Sequence, residues 1–93
     1  MKIIKINAVW CPGCLVSKGI WKKIQKKYKD NEYIDYDYDL DEEIIEKYNV
    51  GEIVPVVIFE KDGKEIKRLI GEKSYEEIIK EVGDLLWENI FYY

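Results

Sequence analysis

Cys11 and Cys14 are the chain's only two cysteines, and they stand three residues apart in the run Trp10-Cys11-Pro12-Gly13-Cys14. Proline is favoured at the first position of a helix, where its missing N–H would be unpaired in any case. That makes Cys11 the residue capping the helix start. A capping side chain accepts hydrogen bonds from the amides two and three residues on, here Gly13 and Cys14. These amides and the positive end of the helix dipole both favour an ionised sulfur, and the thiolate is the nucleophile. Cys14 follows one turn later. Residues at that spacing have Cβ atoms about 5–6 Å apart, against roughly 3.5–4.5 Å in a disulfide, so a small adjustment closes the bond. So short a loop adds only on the order of 2 kcal/mol from chain entropy, which fits a reversible bond better than a structural one. Two other uses of a Cys-x-x-Cys pair stay open at this point. One is half of a zinc site, to be completed by carboxylates or by a second copy, because the chain has no further cysteine and no histidine. The other is a pair that merely packs.

The elements that must position this pair follow from periodicity. Residues 2–8 read as a strand. A helix is expected over Pro12–Tyr28, with Val16, Ile20, Ile24 and Tyr28 every four residues and Leu15 and Trp21 beside them. The lysines of that helix, Lys18 among them, read as a solvated face rather than a nucleic-acid surface. Residues 33–39 alternate Ile34, Tyr36, Tyr38 and Leu40 with Asp35, Asp37 and Asp39, as in an edge strand protected by charge. A metal site made of these acids lacks the glycine turn of a calcium loop. A short helix over Asp41–Tyr48 opens with three acids at its positive end. Pro55–Phe59 is continuously apolar and reads as a strand buried on both faces. Asp62-Gly63 marks a hairpin leading to a strand over Glu65–Ile70, which Gly71 ends. Ser74 and Glu77 form a capping box for a helix continuing through Ile78, Ile79, Val82, Leu85, Leu86 and Ile90. The order β-α-β-α-β-β-α makes an α/β fold. Its first unit is a parallel crossover and its last two strands form an antiparallel hairpin, so the sheet is mixed and has helices on both faces.

Composition bounds the rest. The chain has 93 residues, 47% hydrophobic and 37% charged, which fits one small domain and excludes a disordered chain. Its net charge of −4 argues against a nucleic-acid partner. No apolar run is long enough to span a membrane. Lys5 interrupts the N-terminal apolar stretch and no small-residue cleavage site follows, so no signal peptide is expected and the cytoplasm is the expected location. The absence of histidine removes the commonest general base and metal ligand.

With these residues in place, the chain resembles the thioredoxin/glutaredoxin-like superfamily. The resemblance rests on Trp10-Cys11-x-x-Cys14, Tyr48-x-Val50 leading to Val54-Pro55, Val57-Ile58-Phe59-x-Lys61-Asp62-Gly63, and Gly71. It covers nearly the whole of residues 1–93 as a single domain of the minimal thioredoxin fold. It implies a four-stranded sheet ordered 2-1-3-4 and a cis peptide bond before Pro55. It also implies that Val54, Pro55 and Gly71 border the cysteines and bind an extended substrate, with Trp10 flanking the groove. The departures are specific. Pro12-Gly13 is neither the Gly-Pro of thioredoxins nor the Pro-Tyr of glutaredoxins. Residues Gly51–Val54 are one longer than the usual spacing, and Val56 replaces a threonine. Only Gly71-Glu72 stands where glutaredoxins carry their glutathione-binding motif. The buried aspartate of thioredoxins aligns with Lys5, and its lysine neighbour with Asp35. The reversed pair is expected to meet near Cys14 and assist its deprotonation.

The expected activity is thiol–disulfide exchange, mainly reducing protein disulfides through a Cys11/Cys14 dithiol–disulfide cycle. A glutathione-dependent reductase and a non-catalytic binding or metal module are the alternatives. No cofactor beyond the cysteine pair and no metal is expected. A disulfide reductase or low-molecular-weight thiol would supply electrons, and the chain is expected to be a monomer.

Overall fold

The computed structural model describes residues 1–87; Ile90 of the expected last helix and the aromatic 91–93 end lie outside the described residues. The elements run β1 (Lys2–Asn7), α1 (Pro12–Lys27), β2 (Glu32–Asp37), α2 (Glu42–Lys47), β3 (Val56–Lys61), β4 (Lys64–Ile70) and α3 (Tyr75–Leu86). They build one four-stranded sheet in the order β2-β1-β3-β4, as the resemblance implies. β1 lies parallel to β2 and antiparallel to β3, and β3 and β4 form the antiparallel hairpin.

Alternation along β1 divides the core in two. Ile3 joins Val57, Phe59, Trp21, Ile24, Tyr28, Ile78, Val82 and Leu86 under α1 and α3. Ile4 and Ile6 point the other way and pack with Val56, Ile58 and Tyr48, with Ile44 and Ile45 of α2 against them. β3 is therefore covered on both faces, as its unbroken apolar run required. The hairpin turn has Asp62 at φ 54° and Gly63 at φ 79°, the two positive dihedrals of a type I′ turn. Ser74 accepts from the Glu77 amide while the Glu77 carboxylate accepts from the Ser74 amide, closing the capping box at α3.

Two expectations are corrected. Leu15 and Val16 are 75% and 53% exposed, whereas the buried face of α1 is Cys14, Ser17, Trp21 and Ile24, continued by Tyr28. A helix turns about 100° per residue, so a spacing of four drifts about 40° per step. Counted back from Ile24, Val16 has rotated off the face that a mixed three–four spacing keeps. The second strand ends at Asp37, two residues early. The Asp37 carboxylate accepts from the amides of Asp39 and Leu40 at 2.9 and 3.0 Å and folds residues 38–40 into a turn. Leu40, expected on the apolar face, is 84% exposed.

Candidate active site

The cysteines lie where β1 hands over to α1. Pro12 opens the helix and Cys11 caps it with extended backbone (φ −100°, ψ 109°). The Cys14 amide approaches the Cys11 sulfur at 3.1 Å. Both cysteines are free thiols; Cys11 is half-buried and Cys14 buried. The expected cap is thus present for Cys14, while the Gly13 amide makes no such bond. Burial in low dielectric is the main cause pushing the Cys14 thiol up to about 11, reinforced by its hydrogen bond with Cys11 and opposed first by the Ala8 backbone and then, more weakly, by Lys18. Lys18 is exposed, as its place on the solvated face implied, and also lines the open cleft that holds Cys11, Cys14, Trp10 and Leu15. Its position four residues after Cys14 puts it on the same helix face, and that spacing was the signal available for finding it.

The chain segment before β3 closes the other side. Val54–Pro55 is a cis peptide. The Cys11 thiol donates to the Val54 carbonyl at 3.7 Å. Gly71, at φ 89°, adopts a left-handed conformation suited to glycine, and its amide donates to the Pro55 carbonyl at 2.8 Å. The Cys11 sulfur thus meets the segment before β3 at Val54, and Gly71 joins that segment through Pro55.

Trp10 is 57% exposed beside Cys11. Its indole Nε1 donates to the Asp39 carboxylate at 2.8 Å, and its ring meets Tyr38 edge-on at 6.2 Å. The Tyr38 hydroxyl donates in turn to the Gly51 carbonyl at 3.0 Å. Sequence reading placed Tyr38 and Asp39 in an edge strand and missed this support, because the partners lie 28 or 29 positions from Trp10 and share no periodic signal with it.

Lys5 and Asp35 are directly paired in the parallel β1–β2 register, and their side chains meet at 3.2 Å. The Lys5 ammonium also donates to Gln25 of α1 at 2.7 Å and lies 5.8 Å from the Tyr33 ring. The reversed pair therefore forms as expected. The charged groups acting on Cys14 are Cys11 and Lys18 rather than Lys5 or Asp35. The pair instead lines an adjoining cavity of about 500 Å³ with Ser17, Gln25 and Asp37. Among the described residues, no group of three or more Cys, His, Asp or Glu side chains is placed to hold a metal ion. No helix of the described residues is long and apolar enough to cross a membrane.

A paired thiol site at the start of a helix, facing a cis-proline on a mixed four-stranded sheet, defines a thiol–disulfide oxidoreductase fold. The family model for Thioredoxin matches residues 1–84. A thioredoxin H-type protein of Oryza sativa subsp. indica is 33% identical over 84 residues, 87% of this chain and 68% of that protein. A thioredoxin of Mycoplasmoides gallisepticum is 30% identical over 81 residues, 84% of this chain and 80% of that protein. In structure, thioredoxin 1 of Thermosipho africanus superposes with a TM-score of 0.80 at 24% identity, covering 97% of this chain and 99% of that one. The chain spans from about half to about two thirds of the length of the first plant relatives it matches. It belongs to the thioredoxin family, and the chemistry of that class is thiol–disulfide exchange.

Proposed function

We propose that this protein reduces disulfides in other proteins, with Cys11 as nucleophile and Cys14 as resolving thiol. The observation that carries this reading is the Cys11 sulfur itself, half-buried at a helix start, 3.1 Å from the Cys14 amide and 3.7 Å from the Val54 carbonyl. The Cys11 thiolate attacks one sulfur of the substrate disulfide. The S–S bond breaks, one substrate sulfur leaves as a thiolate and takes up a proton, and a mixed disulfide remains. Cys14 then loses its proton and attacks Cys11, releasing the second substrate thiol and leaving a Cys11–Cys14 disulfide. Two electrons have passed to the substrate.

Burial makes Cys14 hard to ionise while Cys11 is free, and the hydrogen bond and charge of Cys11 add to that. Once Cys11 is bonded to substrate, those two contributions are gone while burial, the Ala8 backbone and Lys18 still act. Cys14 then ionises more readily than in the free dithiol, though burial still opposes its anion. Val54, Pro55 and Gly71 border the bound chain, Trp10 flanks it, and Pro12 and Gly13 shape the turn between the sulfurs. The Lys5–Asp35 pair supports β1 beneath the site.

A disulfide reductase or a low-molecular-weight thiol restores the dithiol. The cycle needs no metal or prosthetic group, acts as a monomer, and suits a reducing compartment such as the cytoplasm. Insulin reduction driven by dithiothreitol tests the assignment. Cys11→Ser is expected to abolish turnover, and Cys14→Ser to accumulate mixed disulfides at Cys11. Retained turnover in Cys11→Ser would overturn the division of labour between the two cysteines. Comparing a thioredoxin reductase with glutathione as donor in the same assay separates the two electron sources.

A further inference from the structure

Glu72 comes from the loop between β4 and α3 and lies against Gly13, one of the two residues separating the cysteines. A Cβ built on Gly13 would sit 3.1 Å from Glu72 Oε2 and 3.5 Å from its Cβ and Cδ. Glycine at position 13 leaves the space that this side chain occupies. The approach is held from the other end. Gly71 turns the chain at φ 89°, its amide is tied to the Pro55 carbonyl at 2.8 Å, and the side chain of Ile53 borders it.

Gly13 belongs to the first turn of α1, and that turn carries no acidic residue of its own. Carboxylates near a helix start interact with the positive end of the dipole. Cys11 caps that same helix start. A carboxylate placed there opposes an anion on the capping sulfur, because like charges at one helix end repel. Lys18 stands at the other sulfur and favours its anion.

We propose that Glu72 is a positioning residue for the redox equilibrium. Its carboxylate against Gly13 opposes the anionic dithiol state and biases the pair toward the disulfide, which makes the protein a stronger reductant. Stabilising the reduced thiolate form is what makes a related dithiol oxidising, so a charge opposing that form acts in the reducing direction. The inference rests on Cys11 and Cys14 cycling as proposed above.

The test equilibrates the full chain with a glutathione couple. Two glutathione thiols give up two electrons and two protons; the Cys11–Cys14 bond breaks as glutathione disulfide forms. Wild type, Glu72→Gln and Glu72→Lys are compared at low and high salt, with Cys11 alkylation rates measured alongside. Glu72→Gln is expected to shift the equilibrium toward the dithiol and speed alkylation, each by about two- to fivefold, the range for an exposed charge at a helix end. Glu72→Lys is expected to shift both further. High salt is expected to shrink all the differences, because the effect is electrostatic. Equal equilibria in all three proteins would overturn the inference. A shift that high salt leaves intact would also overturn it, by assigning Glu72 a purely structural role. Absence of any Cys11–Cys14 disulfide in wild type would remove the proposed cycle along with it, so the two failures are told apart.

Discussion

Cys14 and Lys18 make the sharpest residue-scale case, because burial and charge act on one thiol in opposite directions. With the Cys14 thiol raised to about 11, about one molecule in ten thousand carries its thiolate at neutral pH. Iodoacetamide at neutral pH is therefore expected to modify Cys11 and spare Cys14, with mass spectrometry locating the label. Equal labelling of both would contradict the buried position of Cys14. Replacing Lys18 by glutamine removes the cation that favours the Cys14 anion. The expected result is slower release of substrate from the mixed disulfide, by up to about fivefold for one exposed, screened charge, with initial attack by Cys11 nearly unchanged. Single-turnover kinetics with a fluorescent peptide disulfide separate the two steps. Unchanged resolution would mean that Lys18 is no more than a solvated side chain.

Between elements, the informative contact is the one that crosses from β1 to β2 and α1. Lys5 is nearly fully buried on a central strand, whereas its partner's side chain is 64% exposed. Asp35→Asn leaves a buried ammonium with only Gln25 and an aromatic ring for company. The expected loss is about 1 kcal/mol, below that of a fully buried pair because the carboxylate is already half in water. Lys5→Met removes the charge while keeping the volume and is expected to be neutral or stabilising. Urea midpoints measure both. Asp35→Asn is also expected to leave the rate at which Cys14 resolves the mixed disulfide unchanged, whereas a changed rate would restore the role in deprotonation that the resemblance suggested for Asp35. This pair was legible because the resemblance matches Lys5 and Asp35 to a charged pair on neighbouring strands, with the signs reversed. The capped Cys11, the type I′ hairpin and the capping box were equally legible, since each depends on residues within three or four positions of one another. The end of β2 was not. Asp37 continues the alternation and also folds the turn that ends the strand, and periodicity does not register a side chain competing for the backbone. The grip of Asp39 on Trp10 joins residues 29 apart and could be found only after the sheet had brought them together.

At the scale of the whole molecule, two buried acids tie stability to pH on the alkaline side. Cys14 rises from an ordinary value of 9.0 to about 11, and Tyr48, packed under α2, rises from 10.0 to about 12, each chiefly because burial disfavours its anion. Between the ordinary and the raised value, the unfolded chain has lost the proton that the native protein keeps. The unfolded state then binds fewer protons, and stability falls as pH rises. The contribution of Cys14 is complete below pH 9.0 and is lost by about pH 11; that of Tyr48 is lost over the window from 10.0 to about 12. Urea unfolding of the reduced protein is therefore expected to show midpoints that decline across this range. Cys14→Ser carries a hydroxyl that does not titrate there, so its decline should start later and keep only the phenolic share. The oxidised protein, with both sulfurs bonded, should behave like Cys14→Ser in slope, though from a different starting stability. Parallel declines in the reduced protein and Cys14→Ser would show that the Cys14 thiol ionises as easily in the native state as in the unfolded one. The solvent exclusion on which the ordering of the two cysteines depends would then be absent.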